Sequence, residues 1–126
     1  MEQENFSIKK RLKSFKYALI GIKTLIIEEH NARIHIFATI AVVILGFILK
    51  ISVFEWIAIV FAIGFVITCE SINSALENLC DYVSPQKNEL IKKVKDLAAA
   101  GVLISAITAV VIGIIIFLPK LLVYVG

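Results

Sequence analysis

The chain has 126 residues, of which 60% are hydrophobic and only 18% charged. Soluble domains carry about 45–50% apolar residues, and a chain this short keeps too much surface wet to hide the excess. A mean hydropathy of +0.93 therefore points to lipid as the solvent. It excludes a disordered chain, a disulfide scaffold and a nucleic-acid-binding domain.

The net charge is only +3, but the cations are unevenly placed. Lys9, Lys10, Arg11, Lys13, Lys16, Lys23 and Arg33 crowd the first quarter of the chain. Lys87, Lys92, Lys93 and Lys95 lie between two apolar blocks, whereas the turn near residue 50 holds only Lys50 and the far end only Lys120. Positive charge marks the cytoplasmic side of membrane proteins. The N-terminal arm and the 82–96 loop are thus expected inside, and the 50–54 turn and the C-terminus outside.

Residues 6–32 repeat apolar side chains at helical spacing: Phe6, Ile8, Leu12, Phe15, Leu19, Ile22 and Ile26, with lysines on the other faces. This predicts an amphipathic helix lying on the membrane surface. It lacks the apolar run and small-residue cleavage site of a signal peptide. Three apolar blocks follow. The first, over about 34–49, is slightly short and is expected to borrow a turn on either side. The second begins at about 53, and its helical pattern continues to 83, where Ser84-Pro85 is a stop signal. Some 31 residues at 1.5 Å each exceed a hydrocarbon core of ~30 Å, so the last turns of this helix must leave the membrane. The third is expected over about 88–118, with an amphipathic start and an uncharged run from 97 to 118. Three spans fit the alternation of charge. Trp56 is expected to anchor the outer turn at the interface. Gly101, Ser105, Ala109 and Gly113 recur every fourth residue, a spacing that lets helix backbones approach closely, either between chains or inside one bundle. Cys69 and Cys80 are about 16 Å apart along a helix, too far for a disulfide.

The chemistry-bearing segment is Glu70-Ser71-Ile72-Asn73-Ser74-Ala75-Leu76-Glu77-Asn78-Leu79-Cys80-Asp81. At 3.6 residues per turn, Glu70, Asn73, Ser74, Glu77 and Asp81 fall within an arc of about 100° on one helix face, at the inner edge of the membrane. Ionisable groups at such depth are costly and mark function by default. Glu28 and Glu29, just before the first span, stand at a similar depth. Carboxylates from two helices suit Mg²⁺, which takes one or two of them together with phosphate oxygens. Lys92-Lys93-Val94-Lys95-Asp96 supplies cations at the same level. Phosphoryl transfer fits this set of groups, although neither GxxxxGK[ST] nor the glycine-loop and HRD set of protein kinases is present. A cation or proton carrier, with the acids as relay, fits the stripe as well. A membrane scaffold would use the small-residue stripe and leave the acids idle. His30 and His35, without cysteines nearby, read as interfacial side chains and not as zinc ligands.

Glu70-x-x-Asn73-x-Ala75-x-Glu77-x-x-x-Asp81 followed by Lys95-Asp96 resembles the signature of the small bacterial membrane lipid kinases, the prokaryotic diacylglycerol kinases and undecaprenol kinases. Tyr17, Gly21, Glu29 and Arg33 extend the likeness over nearly the whole chain. The resemblance implies an all-α integral membrane protein with a surface helix and three transmembrane helices, assembled as a homotrimer in the bacterial cell membrane. It also implies an active site on the cytoplasmic side.

By the same resemblance, Glu70 is the general base that deprotonates the lipid hydroxyl, and Glu29 and Glu77 hold the Mg²⁺ that accompanies ATP. Lys95 and Asp96 bind the nucleotide with Gln86, Lys87 and Asn88 beside them. Asn73 supports Glu70 by hydrogen bonding, Lys10 and Tyr17 close the site from the surface helix, and Arg33 and Asp81 border it. Substrate choice turns on a few positions. Lys10 replaces a common arginine, His35 stands where the diacylglycerol branch often has an acid, and Ala99 where it often has serine. Together with Asn31-Ala32-Arg33-Ile34-His35, these favour undecaprenol over diacylglycerol as the acceptor.

Overall fold

A computed structural model describes residues 7–126, so the expected helix start at residue 6 lies outside the described part. The secondary structure of the described residues is helical: α1 (Ile8–Glu28), α2 (His30–Ile48), α3 (Val53–Val83) and α4 (Glu89–Val125). The last three are long and apolar enough to cross a membrane. The most extensive pairing is between α3 and α4, and α1 touches α2 and α3. Accessible surface totals 10131 Å², against about 6,700 Å² for a compact soluble chain of this mass. Much of the excess is apolar side chain, including Phe37, Phe47, Phe54 and Phe61, which only lipid or further protein can cover.

Two boundaries differ from the expected ones. The stretch read as one helix over 6–32 is interrupted at Glu29, whose backbone is extended (φ −104°, ψ 112°) and which ends α1 and begins α2 at once. The first span therefore starts at His30, about one turn before residue 34, as the short apolar block required. Apolar periodicity runs through the break, where the Glu29 carboxylate accepts a hydrogen bond from Ser74 of α3. The last helix does not stop at 118 but carries Pro119 inside it and continues to Val125. Proline removes one backbone donor and crowds the preceding turn, yet apolar helices tolerate it where neighbours compensate. Lys120 Nζ lies 3.0 Å from a Glu55 carboxylate oxygen and ties this extension to the start of α3.

The turn between α2 and α3 is closed by local chemistry. Ile51 N–H donates to the Gly46 carbonyl at 3.2 Å and Lys50 N–H to that of Phe47 at 3.3 Å. This is a Schellman C-cap, with Lys50 in the left-handed region at φ 51°. Ser52 and Glu55 form a reciprocal capping box, at 3.0 and 3.2 Å, that satisfies two orphan donors of α3. Trp56 lies across Gly46, where a Cβ would meet its ring at 2.7 Å, and its ring centroid is 4.8 Å from that of Phe47. The tryptophan read as an interfacial anchor is also a packing residue of the hairpin. Below it Ile51, Ile59, Ile116 and Phe117 make the main buried cluster.

On α4 the small-residue stripe divides. Ser105 is fully buried inside the chain and donates its hydroxyl to the Val102 carbonyl at 2.7 Å. Gly101 and Gly113 face open space.

Candidate active site

The polar residues of α3 and their partners gather at the end of the bundle that carries the α1–α2 break. Glu70 is the deepest. Its side chain is only 3% exposed, and Val66 one turn before it is buried as well. His35 Nε2 of α2 comes within 3.1 Å of Glu70 Oε1, off the line of a hydrogen bond, so this buried oxygen has none. One and two turns further along α3, Asn73 Nδ2 donates to Glu77 Oε1 at 3.4 Å. Asn73 Oδ1 is buried without a partner. Ser74 Oγ donates to Glu29 Oε1 at 2.6 Å. That bond spans the α1–α2 break and α3, and it leaves the Glu29 carboxylate at the N-terminus of α2, where the helix dipole favours negative charge.

The expected bond from Asn73 to Glu70 is not formed. At i, i+4 the amide meets Glu77, and the partner of Glu70 is His35, the residue set aside as interfacial. A carboxylate buried at membrane depth calls for a partner, and His35 could have been sought on that ground alone.

The Asp81–Lys95 region forms a second compartment. A cavity of about 490 Å³ opens between the ends of α3 and α4, walled by Asp81, Gln86, Lys87, Asn88, Lys95 and Asp96 among others. Within it Lys95 Nζ bonds Asp81 Oδ1 at 2.5 Å, and Lys92 Nζ bonds Asp96 Oδ2 at 2.6 Å. The Asp81 hydrogen bond raises the pKa of the Lys95 ammonium above the ordinary lysine value. Asn88 Oδ1 accepts from Leu90 N–H at 2.8 Å and caps α4; its side chain thus also fixes where the helix starts.

Some expected residues are not gathered in. Tyr17 is exposed on α1, about 18 Å along the helix from Glu29, and Lys10 is about 28 Å from it. Arg33 is exposed, with Nη2 3.5 Å from His30 Nδ1. Ala99 is exposed on α4.

The donor set of the inner cluster suits a hard cation brought in with its own oxygen ligands. Glu29 and Glu77 are half-buried carboxylates bonded to consecutive residues of α3, Ser74 and Asn73, and the Asn73 Oδ1 is buried without a partner. Among the described residues no three His, Cys, Asp or Glu side chains are grouped to hold a metal ion.

Three apolar helices with acids and lysines collected at one end define a membrane protein equipped for chemistry at one edge of its bundle. Comparison with known proteins narrows this. The family model described as prokaryotic diacylglycerol kinase matches residues 16–117. An undecaprenol kinase of Bacillus subtilis is 38% identical over 86% of this chain and 89% of its own length. A diacylglycerol kinase of Synechocystis is 36% identical over 88% of this chain and 64% of its own, and one of Haemophilus influenzae 31% identical over 84% and 91%. The chain belongs to the prokaryotic diacylglycerol kinase family and is a lipid kinase of a bacterial membrane.

Proposed function

We propose that this kinase transfers the γ-phosphoryl group of ATP to the hydroxyl of undecaprenol. The observation that carries the reading is a dry carboxylate beside an apolar cavity. Glu70 is nearly buried, and His35 beside it lines a space walled by Val42, Ile59, Val66 and Gly113 of three helices. Such a space suits a hydrocarbon chain that ends in one hydroxyl and offers no ester carbonyls. The 38% identity to an undecaprenol kinase, with Lys10, His35 and Ala99 at branch-distinguishing positions, points the same way. Diacylglycerol is the alternative acceptor, because the other relatives carry that name.

Glu70 serves as general base, taking the proton of the hydroxyl as its oxygen attacks phosphorus. Glu29 and Glu77 would hold Mg²⁺, which supplies charge neutralisation to the phosphates when bound. The cavity at Gln86, Lys87, Asn88, Lys95 and Asp96 receives the nucleotide. On its arrival Lys95 exchanges Asp81 for a phosphate oxygen, and positioning with charge neutralisation then carries most of the catalysis. We place the α1 end on the cytoplasmic side, where ATP is available and where the lysines are concentrated. Three copies are proposed to assemble, which would cover part of the apolar surface and the open Gly101 face.

Labelled ATP offered to the protein in detergent micelles, with undecaprenol and diacylglycerol side by side, tests this. Faster Mg²⁺-dependent labelling of undecaprenol, lost with chelator, is the expected result. Preference for diacylglycerol would overturn the substrate and keep the mechanism.

A further inference from the structure

We infer that Ser74 is a positioning residue for Glu29: its hydroxyl crosses from α3 to fix one oxygen of that carboxylate and leaves the other for the metal. The inference rests on the reading of Glu29 as a Mg²⁺ ligand and adds to it a residue that carries no charge. Hydroxyls inside helices ordinarily spend their proton on a carbonyl of the preceding turn. Those of Ser14, Thr24, Thr39 and Thr108 donate to the carbonyl four residues back, and Ser105 to the one three residues back. Ser74 does not. Its Oγ donates at 2.6 Å to Glu29 Oε1, across 45 positions of chain and in a partly buried setting. So short a contact is what a hydroxyl makes to an ionised oxygen.

Glu29 is prepared for this contact from its own side. Its main chain is held by both helices that meet there: the N–H donates to the Leu25 carbonyl at 3.1 Å, and the carbonyl accepts from Arg33 N–H at 3.3 Å. A residue at the head of a helix often turns a side-chain oxygen back onto the first N–H groups, but Glu29 makes no such bond to α2. Its carboxylate is given to α3 instead. Of the two adjacent acids, Glu28 is exposed and Glu29 half-buried, so the contact singles out one of them.

A hydroxyl suits the task. Two carboxylate oxygens offer about four lone-pair positions, and one O–H donor takes one of them. The serine orients the group without neutralising it, whereas a lysine or arginine in its place would compete with the cation. Partners of this kind behind a metal ligand hold it in place and strengthen binding. Asn73, the residue beside Ser74, donates to Glu77 Oε1 at 3.4 Å. Consecutive residues of α3 thus hold both carboxylates assigned to the metal, and the serine bond is the shorter one and the one that joins separate helices.

The test titrates Mn²⁺, whose free form is counted by electron paramagnetic resonance, into the full chain in detergent with a non-hydrolysable ATP analogue and no lipid. Glu29→Gln should bind Mn²⁺ more weakly, and that variant checks the metal reading by itself. Ser74→Ala should raise the Mn²⁺ dissociation constant about tenfold, and Ser74→Thr, which keeps the hydroxyl, should bring it back towards the wild type. In turnover the alanine variant should need about ten times more Mg²⁺ and keep most of its kcat once Mg²⁺ saturates. The double variant Glu29→Gln/Ser74→Ala should bind no worse than Glu29→Gln alone, since the serine acts through that carboxylate. Costs that add would make Ser74 a packing residue and overturn the inference, as would wild-type Mn²⁺ affinity in Ser74→Ala. Should the alanine variant not fold, Ser74→Cys, which keeps the shape and donates weakly, gives the same reading. Unweakened Mn²⁺ binding by Glu29→Gln would instead remove the metal reading, and the inference with it.

Discussion

The two ends of the bundle are built on opposite terms. At the α2–α3 turn the backbone donors of Lys50, Ile51, Ser52 and Glu55 all find local acceptors. The Schellman bonds to Gly46 and Phe47, the Ser52–Glu55 box, the Trp56–Gly46 contact and the Lys120–Glu55 pair all close over a cluster of buried aliphatic and aromatic side chains. At the α1 end the buried oxygens of Glu70 and Asn73 have no hydrogen-bond partner, and the carboxylates of Glu29 and Glu77 are held by one neutral donor each. An unsatisfied buried polar atom costs about 1–3 kcal/mol. A protein that keeps two of them on one helix face, while its other end is capped so fully, is holding its polar groups ready for something other than itself.

That contrast can be broken from either side. The largest effect is expected at Glu70. Glu70→Gln should lower turnover by roughly 10²–10⁴-fold while leaving the melting temperature in detergent unchanged or raised, since a buried charge is removed. A variant that melts early would place Glu70 with the structural end. Next comes Gly46→Ala, whose Cβ meets the Trp56 ring at 2.7 Å. Overpacking of this kind costs about 1–3 kcal/mol, read as a lower unfolding midpoint with unchanged kcat per folded molecule. Glu77→Gln should then raise the Mg²⁺ and nucleotide requirement by about tenfold, or ~1.4 kcal/mol, with kcat at saturation better kept than in Glu70→Gln. Equal loss of nucleotide binding in both would erase the distinction between base and metal ligand. Smallest is Ser52→Ala, which removes one arm of the capping box for about 1 kcal/mol and should leave KM untouched.

Much of this was legible in the sequence, because a membrane forces its solution on the chain. Uncharged apolar stretches of that length have to be helices, and acids spaced at 70, 73, 77 and 81 have to share a face. What escaped were the features decided by a second helix. Ile26-Ile27 and Ile34 continue one apolar rhythm across Glu29, so the break there is visible only once Ser74 is seen to hold the carboxylate. The continuation of α4 past 118 is tied down by the pair between Lys120 and Glu55, a contact between residues 65 positions apart that no local pattern reveals. His35 looked like one more interfacial histidine, for the register of α2 against α3 is what brings it to Glu70. The same register sends Asn73 to Glu77, since an amide one turn before a carboxylate reaches it without help from another helix.

The single extended residue between α1 and α2 also gives the arm a mechanical property. A helix of 21 residues reaches about 32 Å from its pivot. Rocking it by about 10° around Glu29 sweeps the far tip through roughly 5 Å, but moves a side chain at the pivot by well under an ångström. Such a movement would leave Glu29 in place against Ser74. The residue proposed to hold the metal would thus sit at the one point of the lever that stays still.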